Sequence, residues 1–278
     1  MPKPPDFLRI SNSSRKDSNH MSVHMDKLAS LLRSLMPNEG KPEKHFNSAI
    51  ILAGGSGTRM RSEGSETKQM MALCGIPVVA RTVLAFENTP LVREIILVVK
   101  EDELGQYDAL SRTYRWEKVV KIVKGGETRQ DSALEGFKAI DDRSEYVLIH
   151  DAARCLVTRE MIEKVASAAY RYGAAIAACH PHDTVKTENK QEMVAETLER
   201  DAVWLAQTPQ IFKTELYRAS AYTALAKGGL RVTDDASLAE AAGFAVKPVD
   251  CGRENIKLTT PEDIYVAEAI LKAREESV

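Results

Sequence analysis

Residues 47–69 read NSAIILAGGSGTRMRSEGSETKQ. Four apolar residues, Ala49, Ile50, Ile51 and Leu52, run through Ala53 straight into Gly54, Gly55 and Gly57. An aliphatic run without polar alternation is the pattern of a strand buried on both faces, and such strands belong to parallel sheets covered by helices. Glycines at its end leave backbone N–H groups open to an incoming anion, because no Cβ stands in the way. Ala53, Gly54, Gly55 and Gly57 are therefore candidates for a nucleotide cradle. Arg59 and Lys68 are candidates for neutralising its phosphates, Arg as a planar fork and Lys as a mobile point charge. Other glycine motifs fail here. The dinucleotide fingerprint breaks at Met60, and no strand-ending acid follows about 20 residues later. The string required of a P-loop is absent, and the nucleophile elbow breaks at Thr58.

Outward from this loop, β-branched runs alternate with amphipathic stretches. Strands are expected at 94–99 (EIILVV), 119–123, 146–150 (YVLIH), 174–178 and 245–249. Helices are expected at 77–87, 103–114, 128–140, 159–172, 214–227, 235–242 and 261–274, the last with Pro261 in its first turn and Thr259 or Thr260 as cap. This rhythm predicts an α/β fold: a doubly wound, mainly parallel sheet of Rossmann-like nucleotidyltransferase type. Residues 182–199 break it, reading as two short β pieces around a polar turn at 188–191, a hairpin arm projecting from the sheet. Residues 1–46 are polar and punctuated by Pro, Asn and Ser. They read as an N-terminal extension, partly disordered, with one short amphipathic helix over 25–36 that gathers Leu28, Leu31, Leu32 and Leu35. Residues 47–278 read as the functional domain.

Two further loops follow predicted strands. Residues 125–132 read GGETRQDS, where Thr128 or Glu127 suits a helix cap, while the main chain of Gly126 and Glu127 and the Ser132 hydroxyl suit a base. Residues 150–154 read HDAAR; Asp151, just past a strand end, suits Mg²⁺, Arg154 suits a phosphate, and His150 reads as a packed strand-end residue. Ligands of such sheets bind at the carboxyl ends of the strands, where all three loops emerge.

The formal net charge of −2 supplies no field for nucleic acid or an anionic membrane, and no apolar run has membrane-spanning length. The four cysteines, Cys74, Cys155, Cys179 and Cys251, have no CxxC spacing and read as reduced thiols of a cytoplasmic protein; residues 1–46 leave an organelle open as a transit segment. His180 and His182 form an H-x-H pair without neighbouring ligands and read as surface residues.

Over about residues 47–275 the chain resembles the 2-C-methyl-D-erythritol 4-phosphate cytidylyltransferases. The strings that carry the resemblance are AGGSGTRM, TKQ, GGETRQDS, HDAAR, DTVK, ERDAVWLAQTPQ, TDDASLAE and NIKLTTPED. The resemblance implies cytidylyl transfer from CTP to a small polyol phosphate. Arg59, Lys68, Arg200 and Lys257 would be catalytic, and Asp151 would hold Mg²⁺ or another divalent cation. Ala53, Gly54, Gly55, Gly57, Gly126, Glu127, Ser132 and Asp151 would bind CTP. Arg154, Thr184, Arg200, Thr208 and Thr233 would bind the acceptor. It also implies a homodimer in which the arm, about 180–203, embraces a second subunit so that Thr184 and Arg200 complete the partner's site. A ribitol 5-phosphate enzyme and a catalytically silent nucleotide sensor are the alternatives. Thr67 and Cys155 stand where the family usually has proline, and the loop before Lys68 is slightly long, so that residues 62–66 are expected to order only around nucleotide.

Overall fold

The computed structural model of the protein describes residues 45–55, 67–226 and 232–276. Gly57, Arg59, the segment 62–66 and the helix expected at 25–36 lie outside the described residues.

The elements run in chain order as β1 (Asn47–Leu52), β2 (Ala72–Leu73), β3 (Ile76–Pro77), α1 (Val78–Glu87), β4 (Val92–Val99), α2 (Leu104–Tyr114), β5 (Val119–Lys124), α3 (Arg129–Ala139), β6 (Tyr146–Asp151), α4 (Arg159–Tyr172), β7 (Ala174–Cys179), β8 (Lys186–Glu188), β9 (Val194–Thr197), β10 (Leu205–Lys213), α5 (Thr214–Ala226), α6 (Asp235–Ala241), β11 (Lys247–Asp250) and α7 (Glu262–Glu275). Among the described residues, seven strands form one sheet in the order β11-β7-β10-β6-β1-β4-β5. β1 lies at its centre and pairs in parallel with both β4 and β6, so the chain steps outward on one side and returns to the other. The crevice at the carboxyl end of β1 is thereby the switch point at which such folds bind ligands.

The central strands send successive side chains to opposite faces. Ala49, Ile51, Ile95 and Leu97 meet α1, α2 and α4 through residues such as Val83, Tyr107 and Ile162. Ile50, Leu52, Ile96 and Val98 meet α3, α5 and α6 through Ala133, Tyr217 and Leu238. Burial on both faces is why these strands read as unbroken apolar runs. A smaller cluster of Leu73, Val78, Cys155, Leu156, Leu258 and Ala267 seats α7.

The main departures from the expected elements are these. Residues 205–213 form a strand that the sequence reading left without an element; β10 runs antiparallel between β6 and β7, so the mainly parallel sheet is mixed. Gln207, Thr208 and Gln210 interrupt its apolar pattern yet are buried, which hides the periodicity. The final strand begins at Lys247 rather than 245. α7 begins after Pro261 rather than at it; Pro261 is the cap residue and no Thr259 or Thr260 side chain caps the helix, while Asp263 Oδ2 accepts from the backbone N–H groups of Thr259 and Thr260 ahead of it, both at 2.7 Å. The arm is present as the β8–β9 hairpin, its turn closed by Asn189 Oδ1 accepting from the N–H groups of Gln191 and Met193.

Candidate active site

Backbone bonds stitch the three loops to neighbouring strand ends. Ala53 N–H donates to Val98 O at 2.7 Å, Gly125 N–H to Val99 O at 2.8 Å, and Ala152 N–H to Leu52 O at 3.0 Å. Gln69, at the other end of the glycine-rich segment, donates from Nε2 to Gly55 O at 3.3 Å. Thr128 caps α3 in a reciprocal capping box with Asp131, as its position suggested. Gly126 cannot carry a side chain, because a Cβ there would overlap Asp131. The Ser132 hydroxyl is buried and closes the same loop, accepting from Gly126 N–H at 3.2 Å and donating to Thr128 O at 2.9 Å. Glu127 is exposed at the rim.

At the end of β6 the Asp151 carboxylate lies between two cations. Arg129 Nε donates to Oδ1 at 3.0 Å and Lys257 Nζ to Oδ2 at 2.6 Å. Burial alone would raise its pKa, but Arg129, Lys257 and Arg154 outweigh that and hold it below the usual carboxylate range. Arg129 reaches further, donating from Nη1 to Asp235 Oδ2 at 2.7 Å, and Asp235 accepts Tyr217 Oη on Oδ1 at 2.9 Å. Burial, and then the carboxylate beside it, push the Tyr217 phenol well above its ordinary value, so it remains a donor.

Lys257 follows the fully buried Asn255, whose Nδ2 donates to Thr208 O at 2.8 Å and Gln207 Oε1 at 3.1 Å. Leu258 N–H donates to Ala153 O at 2.9 Å, and its own carbonyl accepts Lys68 Nζ at 3.0 Å. Residues 255–258 are thus a brace that sets Lys68 and Lys257 beside the Asp151 loop. Arg154 joins the brace through Nη1, which donates to Asn255 O at 2.8 Å.

His150 is fully buried. Its Nε2 lies 3.2 Å from the Arg154 carbonyl, which only accepts, so Nε2 carries the proton. Nδ1 then accepts from Thr208 Oγ1 at 3.0 Å, while the same hydroxyl oxygen accepts Asp151 N–H at 3.1 Å. Burial pushes the imidazole pKa down to about 3, so it is a neutral strut. Thr208, a candidate acceptor contact, is buried with its hydroxyl spent on this strut.

Thr233, Thr184 and Arg200 make contacts of their own. Thr233 precedes α6 and its Oγ1 lies 3.1 Å from Ser237 Oγ. Thr184 is exposed on the arm. The contacts of Arg200 stay within the arm: Nη1 donates to His182 O at 3.2 Å, and Nε lies 3.9 Å from Asp201. His180 packs at a tilt against Trp204 at the arm's base, with ring centroids 3.7 Å apart, and donates from Nδ1 to Val203 O.

Against known proteins, the family model described as 2-C-methyl-D-erythritol 4-phosphate cytidylyltransferase matches residues 48–273. The enzyme of that name from Syntrophus aciditrophicus is 42% identical over 228 residues, covering 82% of this chain and 96% of its own. The one from Shouchella clausii is 44% identical over 230 residues, covering 83% and 98%. The solved structure of the 4-diphosphocytidyl-2C-methyl-D-erythritol synthase of Anaerococcus prevotii superposes with a TM-score of 0.74 at 34% identity, covering 82% of this chain and 97% of that one. This chain belongs to the 2-C-methyl-D-erythritol 4-phosphate cytidylyltransferase family.

Within this cytidylyltransferase domain the sequence reading missed Arg129, Asp235 and Asn255. The signals were there: an Arg directly after a helix cap in a suspected nucleotide loop, and a second Asp in TDDAS with no assigned partner.

Proposed function

We propose that the chain transfers a cytidylyl group from CTP to 2-C-methyl-D-erythritol 4-phosphate, releasing pyrophosphate and CDP-methylerythritol, as a step of isoprenoid precursor synthesis. Beyond the family match, one observation supports this reading. The Asp151 carboxylate stands at the switch point among Arg129, Lys257 and Arg154, and the 255–258 brace brings Lys68 alongside. That is a site built to receive polyanions.

An oxygen of the acceptor phosphate attacks the α-phosphorus; the new P–O bond forms as the bond to the β-phosphate oxygen breaks, and pyrophosphate leaves. The attacking oxygen is already anionic, so no general base is required, and neutral His150 does not serve as one. Lys68 and Lys257 offset the charge that accumulates on the phosphates, with Arg59 assigned the same role from its sequence position. The backbone of Ala53, Gly54, Gly55 and Gly57 cradles the nucleotide with Gly126, Glu127 and Ser132. Arg154, Thr184, Arg200, Thr208 and Thr233 form the acceptor side, with Thr208 acting through its hold on the 150–151 segment.

Asp151 is the residue that would hold Mg²⁺ or another divalent cation, because each of its oxygens keeps a lone pair beyond its ion pair. When bound, the ion would supply charge neutralisation for the phosphates. We place the enzyme in the cytoplasm as a homodimer, with residues 47–278 as the catalytic domain carrying the arm and residues 1–46 as an extension.

The test is pyrophosphate release with Mg²⁺ and each of CTP, ATP, GTP and UTP against methylerythritol phosphate, ribitol 5-phosphate and other sugar phosphates. Release confined to CTP and methylerythritol phosphate is expected. Preference for ribitol 5-phosphate would reassign the acceptor, and silence with every pair would leave a nucleotide sensor.

A further inference from the structure

The guanidinium of Arg129 spans carboxylates from two different elements, Asp151 at the end of β6 through Nε and Asp235 at the start of α6 through Nη1. Asp235 is a fixed anchor: its side chain is 2% exposed and is held from the other side by Tyr217, itself fully buried. Nη2 of Arg129 is buried and has no hydrogen-bond partner among the described residues. An orphaned donor of this kind is costly, so the two carboxylates, not the donor's own satisfaction, fix the plane of the group. The opposite grip on Asp151 is different in kind. Lys257 is a flexible stem with 40% of its side chain exposed, and it holds Oδ2 alone. A phosphate entering from solvent would compete for Lys257, which has no second carboxylate among the described residues, whereas Arg129, 29% exposed, is also tied to the buried Asp235.

We propose, building on the cytidylyltransferase reading above, that Arg129 is a positioning residue: anchored by Asp235 and Tyr217, it holds the Asp151 carboxylate in one direction when substrate phosphate draws Lys257 away. It touches no reacting atom and acts through Asp151. Lysine cannot take its place, since one ammonium on a flexible stem does not supply two N–H vectors diverging in a plane.

The test compares wild type, Arg129→Lys, Asp235→Asn and the double variant in the complete chain with Mg²⁺, CTP and methylerythritol phosphate. Removing an orienting partner behind a metal-binding carboxylate lowers activity roughly tenfold to a hundredfold, so kcat of Arg129→Lys is expected to fall within that range. KM for CTP is expected to move by less than about threefold, since the binding contacts remain. Asp235→Asn is expected to lose less in the same direction, and the double variant to be no slower than Arg129→Lys, because both act through one carboxylate. Should Arg129→Lys not fold, Asp235→Asn carries the same comparison. The readout independent of turnover is the Asp151 side chain in crystals of each folded variant soaked with inorganic pyrophosphate and no metal, where the anion engages Lys257 and a rotated or dispersed carboxylate is expected. A folded Arg129→Lys with kcat within about twofold of wild type overturns the assignment. So does an activity loss that only tracks the folded fraction, or Asp151 unmoved in both variants. An inactive wild type would fail the cytidylyltransferase reading alone, and the carboxylate geometry would still decide the role of Arg129.

Discussion

Lys68 is half-buried and its Nζ holds the Leu258 carbonyl, one residue from Lys257. In the proposed reaction it works through charge. A charge-assisted contact is worth roughly 1.5–3 kcal/mol, so Lys68→Ala is expected to lower kcat about tenfold to a hundredfold while the thermal midpoint stays near that of wild type. A near-normal kcat would remove it from the mechanism. Arg200→Ala is expected chiefly to raise KM for methylerythritol phosphate; if only KM for CTP moved, the two pockets would have to be exchanged. Cys155, which stands where the family usually has proline, is buried, and burial pushes its thiol up to about 11. Cys179 and Cys251 are buried as well, whereas Cys74 is exposed. A thiol reagent at pH 8 is therefore expected to modify Cys74 alone in the native protein and all four cysteines after denaturation; fast labelling of Cys155 would mean that the turn after Arg154 opens. Lys68 and Asp151 could be picked out from charge type and position in a loop, and Lys257 through the family resemblance. Arg129 was passed over despite its place in the loop, because a charge in the first turn of a helix ordinarily faces solvent; here it is half-buried, held by Asp151 and by Asp235 of α6.

α3 carries Gly126, Thr128, Arg129 and Ser132 at its amino end, so its seating on the sheet positions one wall of the site. Gly136 makes that seating possible. A Cβ there would overlap Ile50 Cγ2 and come within 2.9 Å of Val98 Cγ2. Two effects oppose each other in Gly136→Ala. Helix propensity favours alanine by up to about 1 kcal/mol. Overpacking against stiff, β-branched strand residues costs about 1–3 kcal/mol. The clash wins, and a net loss of about 1 kcal/mol is expected in urea unfolding at constant m-value. A stabilised variant would show that α3 sits farther from β1 than described. The same packing explains what could be read in the chain. β1, β4, β6 and β7 are covered on both faces, and that burial is written as unbroken apolar runs. β10 is covered too, but its middle holds Gln207, Thr208 and Gln210, which are buried because they bond Gly252, His150 and Asp234. Polar residues satisfied by distant partners leave no periodic trace, so among the strands of the main sheet the one that makes it mixed went unread.

In the whole molecule the β8–β9 hairpin forms a two-stranded sheet separate from the main one. Every residue of β9 is exposed, including Met193 beside it and Val194, and a lone two-stranded hairpin has little stability of its own in water. Arg200 and Thr184 sit at this arm, while Lys68, Asp151 and Lys257 sit at the sheet edge. If the arm of one protomer completes the site of the other in a two-fold dimer, lesions at the two places belong to different sites. Lys68→Ala and Arg200→Ala are each expected to be nearly inactive at low acceptor concentration. In a heterodimer of the two, one site combines the Lys68→Ala core with the Arg200→Ala arm and is dead. The other combines an intact core with an intact arm. Random reassortment makes half of the molecules heterodimers with one good site of two, so mixing the variants is expected to restore about a quarter of wild-type activity. Activity that stays at the level of the separate variants, in a mixture shown by mass to have exchanged subunits, would place each arm over its own site. A protein that sediments as a monomer at every assay concentration would remove the dimer from the mechanism altogether.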